Sequence, residues 1–265
     1  MASQFDVHNE VAEYAAKQSQ EVSGAARHPL DPLSAAELEE AVGTLRRENY
    51  LGSGVRIVSI NLIEPAKAFV ESYQPGGPFE RMALAVLVDR DKRASSEAVV
   101  DLVAHTVVSV TQLASDIQPS IMLDEFSECE QAVRRSPLFK EALEKRGVTD
   151  ADVVMVEPWS AGHYGTELSE DAGIRRMRAL CFVRSEAKDN GYARPLDSMV
   201  ILVDLYKMEV IRIEDYPIAP LPPEPGNWAR EYIPNMRKDL KPVDIIQPEG
   251  PSFTVEGNQV EWQKW

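Results

Sequence analysis

Four histidines (His8, His28, His105 and His163) and two cysteines (Cys129 and Cys181) are the side chains here best suited to holding a metal or moving a proton. Their spacing supports neither. There is no His-x-His, no His-Glu-x-x-His and no Cys-x-x-Cys, so no metal centre can be assembled from sequence neighbours. His105, between two apolar runs, reads as a solvated turn residue. The cysteines lie far apart and read as buried reduced thiols. Gly76-Gly77, flanked by prolines, is a loop with no helix behind it to hold a phosphate. Ser160-Ala161-Gly162-His163 lacks the Gly-x-Ser-x-Gly of a nucleophile elbow. With 43 acidic residues, carboxylate pairs arise by chance and carry no weight as acid-base candidates. No catalytic constellation emerges from these residues.

The elements that would position any site are easier to read. A chain of 265 residues, 44% of them hydrophobic, can bury a substantial core. Its net charge of -15 disfavours nucleic acid and anionic membranes as partners, and Arg175-Arg176-Met177-Arg178 is better read as part of a strand than as a basic patch. No apolar run approaches the roughly twenty residues of a membrane span, and the N-terminus has no secretory pattern. An intracellular, cytoplasmic setting is expected.

Residues 1–27 read as a polar tail. Ser34 stands three residues before Glu37, as in a capping box, and Leu38, Val42 and Leu45 share a face of the helix that follows. Strand-like runs then occupy 55–62, 81–89, 97–103 and 107–113. The order recurs. Ser127 and Glu130 repeat the capping spacing, a helix runs from Pro137 to Gly147, and strands are predicted at 152–157, 174–184, 199–205 and 209–214. Val100-Asp101-Leu102 and Val203-Asp204-Leu205 each precede a similar hairpin turn, which points to a duplicated unit. The fold class is therefore α+β: two tandem small domains, 28–118 and 119–215, each a helix on a four-stranded antiparallel sheet of cystatin-like form. An extended connector over 216–250 follows, within a stretch holding nine of the chain's eighteen prolines, and 251–265 reads as a hairpin.

Five segments carry a resemblance to a known family: HPLDPLSAAEL at 28–38, DEFSECEQAVRRSP at 124–137, EPWSAGHYG at 157–165, YARPLDSMVILVD at 192–204 and IIQPEGPSFTVEGNQVEWQKW at 245–265. Together they resemble the copper amine oxidases. The resemblance implies two small domains ahead of a large β-sandwich that carries the chemistry and forms a homodimer. The hairpin at 251–265 would then open that sandwich, with the chain truncated at Trp265 and the catalytic domain as its missing partner. Copper and topaquinone belong to the complete enzyme, and this chain alone is expected to bind neither and to be inactive. Asn49-Tyr50 is followed by Leu51, so it lacks the family's Asn-Tyr-Asp/Glu cofactor motif.

The resemblance further implies that the second small domain lines the channel for a small primary amine, at Phe126, Trp159 and Tyr192. Phe126 reads equally well as helix core, and Tyr192 as plain surface. Pro158 is expected to turn the chain, so that Trp159 projects from the domain. Arg194 stands where relatives often carry histidine, placing a cation near that mouth. The alternative is a free-standing two-domain cystatin-like binding or scaffold protein; a small hydrolase would need a nucleophile-base pair that these residues do not offer.

Overall fold

The structure, a computed structural model, describes residues 26–162, 173–186, 188–227, 230–257 and 259–264. The tail assigned to 1–27 lies outside them except for its last two residues, as do His8, His163 and Trp265. No described helix is long and apolar enough to cross a membrane. The chain divides into a larger unit, Met1–Pro225, and a smaller one, Gly226–Trp265.

The larger unit contains two lobes built on one plan. In the first, α1 (Ala35–Arg47) opens with the complete capping box: Ser34 Oγ accepts the Glu37 N–H at 3.3 Å, and Glu37 Oε2 accepts the Ser34 N–H at 2.8 Å. Arg46 and Arg47 sit at the electronegative end of the helix, and Asn49 closes it in the left-handed region at φ 64°. Four strands follow: β1 (Val55–Ile63), β2 (Met82–Asp89), β3 (Ala94–Asp101) and β4 (Thr106–Gln112). They form an antiparallel sheet in simple sequence order. Ala41 and Leu45 of α1 pack on Ala83, Ala85, Leu87, Ala98 and Val100, and the small alanines let helix and sheet approach closely. A short helix not anticipated from the sequence, α2 (Lys67–Ser72), fills the β1–β2 connection.

The second lobe has two helices on its sheet where one was expected. These are α3 (Leu123–Arg135) and α4 (Pro137–Lys145). Proline disfavours helical backbone in the residue before it, so Ser136 is extended at ψ 127° and splits what would be one helix. The helix also begins earlier than the Ser127–Glu130 spacing suggested. Glu125 accepts the Met122 N–H at 2.8 Å at the true start, while Glu130 lies inside the helix and pairs with Arg134. Strands β5 (Val154–Ser160), β6 (Arg176–Val183), β7 (Met199–Asp204) and β8 (Glu209–Asp215) again run antiparallel in sequence order. Cys129, Val133, Phe139 and Leu143 pack on Val154, Met177, Ala179, Ile201 and Val203. Both cysteines are free and buried in this core, as expected.

The duplication extends to buried charge. Arg81, just before β2, donates to Glu37 at 2.7 Å and to the backbone carbonyl of Asp31 at 2.9 Å. Arg175, just before β6, donates to Glu125 at 2.8 Å and to the carbonyls of Pro119 and Ser120, each at 2.6 Å. In each lobe one arginine thus ties the third residue of the helix to the strand that follows and satisfies carbonyls of the segment entering the helix. Both sheets also carry a register shift in their third strand, at Val99/Val100 and Leu202/Val203. The lobes are joined by Glu128 of α3, which pairs with Arg56 of β1 and with Arg90, while Arg90 also donates to the Leu205 carbonyl at 2.9 Å.

In the smaller unit, β9 (Phe253–Glu256) pairs with β10 (Gln259–Trp262) as a hairpin. Between Gly226 and β9 its described residues form only the short 3-10 turn Arg230–Tyr232. Val255, Val260 and Trp262 are exposed on the hairpin.

Candidate functional site

The β5 strand forms one edge of the second sheet and decides where its side chains go. Successive side chains alternate between faces, so Val154, Val156 and Pro158 point inward and are buried, while Met155, Glu157 and Trp159 point away from the helices. The expectation that Pro158 turns the chain is not met. It stays in the ladder opposite Ala179, and β5 continues through Ser160. An edge strand tolerates proline because the missing N–H can face away from the ladder. The indole projects from the lobe through strand parity alone; Trp159 is 56% exposed.

Tyr192 reaches the same face from a different element. It lies in the 3-10 turn Gly191–Ala193, where Asn190 Oδ1 accepts its backbone N–H at 3.2 Å. The β6–β7 connection folds back along β6, with Val183 N–H donating to the Arg194 carbonyl and Leu196 N–H to that of Cys181. This lays the turn against the sheet. A Cβ on Gly191 would stand 2.8 Å from Met155 Cε, so glycine permits the close approach. The Tyr192 ring meets Phe182 edge to face, with centroids 5.1 Å apart, and its hydroxyl donates to Glu157 Oε1 at 2.7 Å. That bond, reinforced by the carboxylate charge, raises the phenol pKa.

The structure therefore gathers Trp159 and Tyr192 on one surface around Glu157, with Leu180 opposite Glu157 and Arg178 opposite Trp159 across the ladder. Phe126 is not part of this group. It is 37% exposed on α3, in the layer that covers the other face of the sheet. Arg194 directs its guanidinium to the Pro222 carbonyl, at 3.1 Å, and to Ser185 Oγ. Glu157, Leu180 and Phe182 were not among the residues expected at the site, although period-two alternation along Glu157-x-Trp159 and along Arg178-x-Leu180-x-Phe182 could have found them. The surface offers aromatic faces beside a carboxylate, a combination suited to an organic cation with an apolar body.

It does not offer a metal. Among the described residues no group of three His, Cys, Asp or Glu could hold an ion. His28 packs edge-on against Tyr73, and His105 Nδ1 lies 3.0 Å from Glu40. Tyr50 follows the left-handed Asn49 at the exit of α1, with Leu51 next in line. These residues do not fit a copper or quinone centre, and no reaction step is assigned to them.

Comparison with known domains gives this geometry a context. The family model "AGAO-like N2 domain" matches residues 34–110, and "Copper amine oxidase, N3 domain" matches 124–232. The chain belongs to the copper amine oxidases. It carries their N2 and N3 domains, the first on β1–β4 and the second on β5–β8. Among copper amine oxidase relatives, the primary amine oxidase of Arthrobacter sp. (strain P1) is 47% identical over 90% of this chain and 36% of its own length. The histamine oxidase of Arthrobacter globiformis is 35% identical over 92% of this chain and 35% of its own. The crystal structure of a copper-containing benzylamine oxidase from Hansenula polymorpha superposes with a TM-score of 0.72 at 20% identity, over 90% of this chain and 39% of that one, which supports the fold. The chain thus spans about a third of the length of its curated relatives.

Proposed function

We propose that this chain is the non-catalytic N2–N3 portion of an oxidase that converts a small primary amine to aldehyde, ammonia and hydrogen peroxide, and that its second lobe lines the amine's approach. The observation that carries the reading is the Trp159–Glu157–Tyr192 surface: an exposed indole beside a carboxylate that accepts the Tyr192 hydroxyl, on the face of an edge strand turned away from the helices. Copper and topaquinone would supply the redox chemistry of the complete homodimeric enzyme; the residues here would select and orient the amine before it arrives. Trp159 and Tyr192 present the apolar contact, and Glu157 holds the phenol in place and attracts the ammonium group. Phe126, partly exposed on α3 in the layer on the sheet's other face, would line the approach only at a point separate from this surface.

The domain limits fit this reading as 28–118 and 119–215, each cystatin-like in outline, with 216–250 as the connector. The exposed apolar hairpin at β9–β10 supports a further sheet meeting it in the complete enzyme. The two free thiols support an intracellular location, and no nucleic-acid or membrane partner is proposed.

The test is Trp159→Ala in the complete oxidase, with kcat/KM measured for a short aliphatic and an aromatic amine. A lining role predicts a shift in their ratio of about ten- to two-hundredfold, the scale of one altered apolar pocket contact. An unchanged ratio would remove the assignment. The 265-residue chain incubated with copper and oxygen is expected to develop no quinone absorbance and to release no peroxide.

A further inference from the structure

On the face of the first sheet opposite α1, β1 and β2 end at the Ile63–Met82 pair, and beyond it the two chains diverge. Glu64-Pro65-Ala66 leads into α2, and Pro78-Phe79-Glu80 returns to β2. Between them lies a cavity of about 590 Å³, walled by Ile63, Phe69, Phe79 and Met82, with Glu64 and Glu80 beside them. Its outer wall is braced. The Tyr73 ring meets Phe79 edge to face at 5.7 Å and Phe69 at 6.2 Å, and its hydroxyl donates to the Gly77 carbonyl at 3.2 Å. Gly76, at φ 84°, supplies the turn that closes the loop.

The charge balance of this pocket is one-sided. Arg81, next to Glu80, is turned to the other face of the sheet, where Glu37 and the carbonyls of Pro29, Asp31 and Pro32 take up its donors. Lys67 of α2 lies 3.8 Å from Glu71. Among the described residues, neither the Glu64 nor the Glu80 carboxylate makes an ion pair or a hydrogen bond. Two carboxylates without partners therefore border an apolar, aromatic cavity whose volume is in the usual range for small ligands.

We propose that this pocket is a binding site for an organic cation with an apolar body, separate from the Trp159–Tyr192 surface and independent of the amine-oxidase reading. An anion is repelled by both carboxylates. A hydrated metal ion gains nothing from phenyl and methyl walls. A neutral hydrocarbon fills the space but leaves both charges unmatched. A quaternary or primary ammonium on an aromatic or branched body satisfies all three features, with its charge toward Glu64 and Glu80 and its body against Phe69 and Phe79. The chain's net charge of -15 raises the local concentration of such cations.

The probe is benzyltrimethylammonium, which cannot be oxidised as a primary amine. It would be titrated into the 265-residue chain while the methyl resonances of Ile63, Ala66 and Met82 are followed by NMR. One-site saturation at these methyls is expected, with benzyl alcohol binding more weakly. Glu64→Gln with Glu80→Gln should weaken binding about five- to tenfold, the scale of two exposed charge contacts. Both residues are exposed, so an unchanged melting temperature would show that the double variant is folded. Ala66→Trp, which fills the mouth, should abolish the shifts. Absence of saturable shifts, equal affinity for benzyl alcohol, or insensitivity to the double substitution would each overturn the proposal. Shifts confined to residues around Trp159 would also do so, because they would assign the cation to the other surface.

Discussion

At the scale of single residues, Trp159 and the two cysteines lead to opposite expectations about exposure. Trp159 keeps over half its surface in solvent, so its truncation creates little cavity; Trp159→Ala should cost under about 1 kcal/mol, measured by urea denaturation of this chain. A buried tryptophan would cost roughly 3–5 kcal/mol, and a loss of that size would contradict the placement. Cys129 and Cys181 are buried, and burial pushes each thiol up to about 12. Neither should react with a thiol reagent at pH 8 in the folded chain, and both should react once it is denatured. These residue fates were unevenly legible. The buried thiols followed from spacing, whereas the Glu157–Tyr192 bond, formed across 35 positions, depends on a loop folding back along β6 that no local pattern announces. Pro158 misled because its effect depends on whether the strand is central or at an edge, which is a property of the sheet.

At the scale of elements, the repeated arginine is the feature with the sharpest energetic consequence. Arg175 and Glu125 each have side chains only 2% exposed. Removing one partner leaves the other charge buried and uncompensated, so Glu125→Leu should destabilise the chain by roughly 3–5 kcal/mol. Restoring neutrality with Arg175→Met in the same chain should recover only part of this loss, because the carbonyls of Pro119 and Ser120 would lose their donor. Full recovery in denaturation experiments would show that the carbonyls do not matter. Half of this device was readable beforehand. Ser34 and Glu37 announce their helix by residue type, but Met122 cannot cap through its side chain, so the start of α3 was placed at the wrong residues. The arginines themselves were invisible as locks because they lie 44 and 50 positions from their glutamates.

For the whole molecule, the carboxylates that tie elements together set its response to acid. Burial acts to raise the Glu128 pKa, but Arg56 and Arg90 more than offset it and hold the group below the ordinary carboxylate range. Arg146 likewise lowers Asp215, and at Glu37 burial again acts to raise the pKa but is outweighed by the hydrogen bonds from Arg81 and Ser34 together with the Arg81 charge, so the group is lowered. A carboxylate with a lowered folded pKa contributes stability that is complete above its unfolded value, near about 4, and is lost as pH falls through the folded value. Melting temperature should therefore stay level from pH 7 to about 5 and drop below about 4. Glu128→Gln should reduce that acid-dependent drop while lowering stability at pH 7; an unaltered acid limb would exclude Glu128 as a contributor. The simple strand order of each sheet, in which every strand pairs with its neighbour in sequence, has a further consequence during synthesis. Translation at about 5–20 residues per second needs several seconds to deliver the second lobe, whereas sheets made of near-neighbour pairings close within about milliseconds to a second. The first lobe can thus be finished on the ribosome with Arg56 and Arg90 already in place, so that Glu128 emerges from the exit tunnel to meet a ready-made template.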